Sequence, residues 1–226
     1  MKKSNLCFIT LLFTLQIGIC QKHDSDSVRM SANEYMLQNS HEKLVKIFES
    51  SERDSWQKPA EVIKFLGEVK GKIIVDVGSG SGYFSFRLVK AGAKVIAADI
   101  DPEFLKVIEK KRKEYDIDLD DLKTVRINED NLNIDAGSAD IIFLVNVYHH
   151  ISDRVNYFSS VNSTLKEDGK IVIVDFYKKK LPVGPPKNHK ISKEVVLTEM
   201  KEAGYKNIEI NINLLEYQYI ITALKY

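Results

Sequence analysis

Apolar and polar positions divide the chain into two regimes. From Gly71 onward, compact runs of Ile, Val, Ala and Leu alternate with segments whose apolar residues recur every three or four positions. The compact runs Ile73–Val77, Lys94–Asp99, Thr124–Asn128, Ala139–Asn146 and Lys170–Phe176 have no helical spacing and predict buried strands. The segments between and after them predict helices at 82–91, 101–115, 153–166 and 192–203. Phe158, Val161 and Leu165 share one face of the third, and Val196, Met200 and Ala203 one face of the fourth. Asp101 and Ser192 stand as N-caps, Pro102 opens the second helix, and Gly92 and Gly204 close the first and fourth. Glu167-Asp168-Gly169 predicts a turn. Residues 178–189, with three of the five prolines, predict a loop. Two last apolar runs, 206–212 and 217–223, are close enough to predict an antiparallel hairpin. This alternation predicts an α/β fold, a doubly wound and mostly parallel sheet with helices on both faces.

Upstream of Gly71 the pattern is helical. Ser31 with Glu34 three positions later fits a helix start, and Leu44, Val45, Ile47 and Phe48 supply an apolar face. Residues 52–59, which hold the single Trp56, interrupt that pattern, and Pro59 opens a short helix with Val62, Ile63, Phe65 and Leu66. The first twenty residues differ in kind. Lys2 and Lys3 precede an uncharged run from Leu6 to Cys20, and a polar stretch follows. That is the three-part pattern of a secretory signal, and the run is short for a membrane span. The predicted organisation is a signal peptide at 1–20, a linker at 21–30, a helical lid at 31–70 and the main domain at 71–226. Export is the expected destination, periplasmic or secreted. Cys20 offers cleavage after it or, alternatively, a lipid anchor.

Composition narrows the chemistry. Cys7 and Cys20 are the only cysteines, so the segment after residue 20 carries no disulfide, thiolate nucleophile or cysteine-ligated metal. Hydrophobic residues make up 44% and charged residues 29%, the balance of a globular domain. The net charge of +1 comes from scattered, matched acids and bases, which argues against nucleic acid as the partner. No metal site is expected, and the oligomeric state is not legible.

The candidate chemistry lies in Ile73-Ile74-Val75-Asp76-Val77-Gly78-Ser79-Gly80-Ser81-Gly82. Strand, glycine loop and following helix make the geometry of a nucleotide-type site. The dinucleotide fingerprint G-x-G-x-x-G needs a glycine at 83, where Tyr83 stands. Asp76 places an acid in an apolar strand, where a pyrophosphate would be repelled and a cation welcomed. S-adenosylmethionine carries an ammonium and a sulfonium and no phosphate. Asp99 ends the second strand nineteen residues after Gly80, where an acid accepts from ribose hydroxyls, and Ile100 can lie against adenine.

On these residues, 71–177 resembles the class I S-adenosylmethionine-dependent methyltransferases. Val75–Gly82 matches the family's first motif, Val95–Ile100 its second, and Ala139–Asn146 its fourth strand. The resemblance implies a Rossmann-like, seven-stranded sheet with a C-terminal antiparallel hairpin. It implies S-adenosyl-L-methionine as cofactor, held by Asp76, Gly78, Ser79, Gly80, Gly82, Asp99, Ile100 and Asn146. An adenine-binding acid follows the third strand in many members. Here Asn128 has the register and Asp130 the charge. The end of the fourth strand faces donor and acceptor, so Tyr148, His149 and His150 are candidate bases, with His189 on the proline-rich loop another. Arg53 and Trp56 fall on the N-terminal lid. The implied reaction is methyl transfer by in-line displacement to a small-molecule or lipid-like acceptor, without nucleic acid. Two alternatives are an exported S-adenosylmethionine-binding protein without catalysis and a nucleotide-dependent oxidoreductase.

Overall fold

The computed structural model describes residues 31–36 and 38–225, so the expected signal segment and linker lie outside the described residues. Seven strands run in the order β3-β2-β1-β4-β5-β7-β6. They are β1 (Ile73–Val77), β2 (Lys94–Asp99), β3 (Leu122–Arg126), β4 (Ala139–Val145), β5 (Leu165–Phe176), β6 (Lys206–Asn211) and β7 (Gln218–Leu224). β1 to β5 pair in parallel, and β7 enters antiparallel between β5 and β6. The mostly parallel, doubly wound sheet with its terminal hairpin is therefore present.

Helices cover both faces. α4 (Pro59–Phe65), α5 (Tyr83–Lys90) and α6 (Pro102–Glu114) enclose one core with Val62, Leu88 and Ile108. α7 (Arg154–Asn162) and α8 (Lys193–Glu202) enclose the other with Phe158, Val161, Val196 and Met200. The strands alternate between the two: Ile74 faces the first core, Val75 and Val77 the second. Asp101 caps α6 through the Glu103 amide, and Ser192 caps α8 through Val195.

Three expectations need correction. β3 starts at Leu122, ahead of the predicted Thr124, because Leu122 is fully buried and pairs with Val95. The predicted third helix stops at Asn162, and its last positions open β5 instead. Leu165 pairs with Ala139, and pairing resumes five residues on, at Lys170 with Ile141. The predicted turn 167–169 is thus an excursion inside the strand. Finally, the stretch read as an interruption is itself α3 (Ser51–Gln57). Its inward residues are polar or amphipathic, Arg53, Trp56 and Gln57, so no apolar stripe announced it. Lys58, with φ of 45°, ends α3, and Pro59 starts α4.

Upstream, the helical pattern forms α1 (Ala32–Met36) and α2 (His41–Phe48). The Ser31–Glu34 box forms: each side chain accepts from the other's backbone N–H, at 3.1 and 2.7 Å. Ser40 caps α2 through the Lys43 amide.

Candidate functional site

The chain leaves β1 toward β2 and β4 toward β5, on opposite sides of the β1–β4 pair. Such a switch point opens a crevice at the carboxyl ends of the strands. The loop 78–82 forms its first wall. Gly78 has φ of +67°, and a Cβ there would lie 2.4 Å from the Val147 side chain, which follows β4. The Gly78 and Ser79 amides donate to the Ala98 carbonyl at 2.7 and 3.1 Å, and the Gly80 amide donates to the Asp99 carboxylate at 2.8 Å. These bonds tie the loop to the end of β2.

Two carboxylates stand under this loop. Asp76 faces α5, where the Ser85 hydroxyl donates to it at 2.6 Å. Burial pushes Asp76 up to about 7, against the pull of the Ser85 hydroxyl and the Arg53 guanidinium. Burial also raises Asp99, opposed by the amides of Asp101 and Gly80. Both acids are therefore costly in an uncharged surrounding, which is what a cationic or hydroxyl-bearing ligand relieves.

α2 and α3 close over the loop. The Phe48 ring sits 3.4 Å from where a Gly80 Cβ would be. Glu49 accepts from the Ser81 hydroxyl and pairs with Lys111 at 3.0 Å. His41 meets Asp101 at 2.6 Å. Arg53 donates through Nη1 to the Phe48 carbonyl at 3.1 Å, and its guanidinium carbon lies 3.9 Å from the Tyr83 ring centroid. Burial lowers Arg53 to about 10, so it stays charged at neutral pH. Its Nε and the Ser79 hydroxyl are buried without hydrogen-bond partners. A buried guanidinium with an unused donor, a buried carboxylate and a glycine loop fit the zwitterionic amino-acid end of S-adenosylmethionine. Ile100, 43% exposed, is open beside Asp99.

The β4 end forms the opposite wall. Asn146, with φ of +62°, closes a ring of amides: Asn146 Nδ2 donates to Gln57 on α3, Gln57 to Gln218 on β7, and Gln218 back to Asn146. A 3₁₀ turn, Tyr148–His150, follows. Tyr148 is fully buried, stacked on Phe158, with its hydroxyl donating to Glu199 at 2.6 Å. Arg154 grips the same Glu199 through two nitrogens at 2.7 and 2.8 Å. The Tyr148 hydroxyl is thereby committed to α8 rather than to the crevice, and burial raises it far above the usual phenol range.

His149, its side chain buried, and the half-buried His150 follow on the same turn, their ring centroids 4.3 Å apart. His149 bonds through Nδ1 to both oxygens of Asp175 on β5, at 2.9 and 3.0 Å, and its amide donates to Asp175 at 3.2 Å. His150 bonds through Nδ1 to Asn33 Oδ1 on α1 at 2.7 Å. Burial and the neighbouring His149 push His150 down to about 3. His189 lies on a second 3₁₀ turn, Lys187–His189, close enough to His150 to act on its charge. Trp56 packs on the buried Phe176 with ring centroids 5.7 Å apart and planes tilted by 41°, and the proline-rich loop returns over Phe176 at Gly184.

Asn128 and Asp130 are both exposed on the turn after β3. The Asp130 carboxylate accepts from Asn131 at 3.1 Å, and the Asn128 amide donates to the Asn131 carbonyl. Asp175, Gln57, Gln218 and Ser85 escaped the sequence reading. Asp175 did carry a signal, being an acid in an apolar strand like Asp76. Among the described residues, no group of three or more His, Cys, Asp or Glu is placed to hold a metal, and no helix is long and apolar enough to cross a membrane.

Residues 75–173 match the methyltransferase domain family. The chain is 31% identical over 106 residues to the ubiquinone biosynthesis O-methyltransferase of Xanthomonas axonopodis pv. citri, covering 47% of this chain and 44% of that one. It is 28% identical over 123 residues to the tRNA U34 carboxymethyltransferase of Desulfotalea psychrophila, covering 54% and 37%. The chain thus spans less than half the length of these relatives. A SAM-dependent methyltransferase from Aquifex aeolicus superposes with a TM-score of 0.74 at 21% identity, over 83% of this chain and 100% of that one, and shares the fold. The matched segment, the strand order and the acids at the ends of β1 and β2 agree: residues 75–173 match a methyltransferase domain, and the chain has the fold of a SAM-dependent methyltransferase.

Proposed function

We propose that this domain transfers the methyl group of S-adenosylmethionine to a small, lipid-like acceptor. The observation that carries the reading is the buried pair of Asp76 and Arg53 on either side of one glycine loop, with the Arg53 Nε unused. In this reading Asp76 attracts the ammonium, Arg53 the carboxylate, and Asp99 the ribose hydroxyls. Ile100 lies along the adenine, with Asn128 or Asp130 at its edge. When bound, the cofactor supplies a methyl carbon made electrophilic by its sulfonium. The chain's own work is alignment and exclusion of water: α1 to α4 cover the crevice as a lid, and the amide ring holds α3 against β4 and β7.

In this reading the acceptor lies beside Trp56, which packs on the buried Phe176 and suits a flat apolar body. The ubiquinone-pathway relative supports that class, whereas a tRNA substrate finds no basic surplus in a chain of net charge +1. Export through residues 1–20, with cleavage or a lipid anchor at Cys20, is part of the proposal.

Calorimetry on the purified chain tests it. S-adenosylhomocysteine should bind at micromolar concentration and NAD should not. Arg53→Met should weaken that binding about tenfold or more, yet leave methylthioadenosine, which lacks the amino-acid end, unaffected. Binding of NAD, or equal losses for both ligands, would overturn the assignment.

A further inference from the structure

The His149–Asp175 pair is not needed to hold a cofactor at the glycine loop. Asp175 has no solvent exposure, sits one residue before the end of an apolar strand, and turns both carboxylate oxygens to one imidazole nitrogen. It also accepts the His149 and Phe176 amides at 3.2 and 2.7 Å. An ionised carboxylate only accepts hydrogen bonds, so His149 Nδ1 must carry the proton. Its Nε2 is then a lone-pair acceptor on the ring edge away from β5.

We propose that His149 is the proton acceptor for a hydroxyl-bearing methyl acceptor, and that Asp175 is the positioning residue that fixes its tautomer and stabilises its charged form. This rests on the methyl-transfer reading above. In the step, an oxygen lone pair of the acceptor forms the new O–C bond as the C–S bond breaks and its electron pair returns to sulfur. The acceptor's O–H proton passes to His149 Nε2 and leaves later to solvent. Phenols and enols give up their proton far more readily than alkanols, so they are the hydroxyls an imidazole base can serve. Trp56, half-buried and packed on Phe176, offers an aromatic edge that suits a phenol or enol.

The surroundings distinguish the two neighbouring histidines. His150 stacks on His149 from the same turn, is tied to Asn33 on α1, and is held neutral by burial. His189, on the proline-rich loop, is near enough to His150 to act on its charge. Lys190, on that loop, and Tyr219, on β7, are near enough to Asp175 to feel its charge. The Lys190 ammonium is bonded to the Lys179 carbonyl at 3.1 Å. Of these groups only Asp175 offers His149 a direct anionic partner.

The test uses catechol as probe acceptor and two readouts. Nitrogen-15 NMR of the ligand-free wild-type chain should show His149 protonated at Nδ1, and Asp175→Asn should change that tautomer. Turnover with catechol should fall about 10²–10⁴-fold in both Asp175→Asn and His149→Gln, through kcat rather than KM. The double variant should be no worse than either single one. The wild-type kcat should rise with pH to a plateau, and the rise should shift in Asp175→Asn. Affinity for S-adenosylhomocysteine should stay unchanged in all variants, which separates this proposal from the cofactor assignment. A His149 protonated at Nε2 overturns the proposal, as does an Asp175→Asn variant within about threefold of wild-type turnover. A wild-type chain that binds S-adenosylhomocysteine but does not methylate catechol also overturns it.

Discussion

Replacing Asp76 with Asn should stabilise the fold while damaging the cofactor site. Asp76 is 3% exposed, and burial raises its carboxyl to about 7. An unfolded-chain Asp titrates near 3.9, so the shift is roughly three units, or about 4 kcal/mol at about 1.4 kcal/mol per unit. The sign follows from the folded value being the higher one. The protonated carboxyl's contribution is complete below about pH 4 and is lost as pH rises through about 7. Above that, wild type keeps an ionised carboxylate in a dry site. Asn is neutral throughout, and its side-chain oxygen can still accept the Ser85 hydroxyl. The variant also leaves Arg53 without its counter-charge, so 4 kcal/mol is a ceiling on the gain. Urea unfolding at about pH 5 and pH 8.5 gives the comparison: Asp76→Asn should gain on wild type between the two, by more than about 1 kcal/mol. Its affinity for S-adenosylhomocysteine at the higher pH should drop at least about tenfold, the cost of a lost charged hydrogen bond. A variant that is less stable than wild type at pH 8.5, or one that binds as tightly, would refute the assignment of Asp76 as a carboxylate kept for a cation.

Wild-type affinity for S-adenosylhomocysteine should itself strengthen as pH rises from about 6 to 8, with proton release seen as a buffer-dependent calorimetric heat; a flat profile counts against Asp76. Gly78→Ala should cost about 2–4 kcal/mol, since a Cβ there meets Val147 at 2.4 Å and φ is +67°, and thermal unfolding reads it. Glu199→Ala strands the Tyr148 hydroxyl and Arg154 together, and should cost about 2–3 kcal/mol with cofactor affinity intact. If that affinity falls with stability, α8 belongs to the site and not only to its support.

The legible parts of this chain are those where a local rule and the tertiary outcome agree. Ile73–Val77 is buried as its unbroken apolar run demands, and Asp76 stands out because nothing else in that run is polar. The terminal hairpin could be read because two strands follow one another without room for a helix. α3 was illegible because its buried face is Arg53, Trp56 and Gln57, which pattern reading assigns to solvent. β5 lost its first residues because a four-residue excursion hides the pairing of Leu165 with Ala139. Asp175 carried the same signature as Asp76 and went unread, since no glycine loop follows it. The roles of Tyr148, His149 and His150 could not be separated by position. Which ring meets Glu199, Asp175 or Asn33 depends on strands and helices far away in the chain.

The amide ring of Gln57, Asn146 and Gln218 also sets an order of assembly. Its members are 89 and 72 positions apart along the chain, and its closing bond spans 161. A ribosome delivers α3 long before β7, so for most of synthesis the helix that carries Arg53 is held by its contacts with α2 and α5. The amide ring can close only when the last strand has slipped between β5 and β6, an antiparallel insertion with slow, long-range closure. A chain stalled before that strand would expose both the crevice and the β5 edge, which makes completion of β7 the step that separates the folded domain from an aggregating fragment.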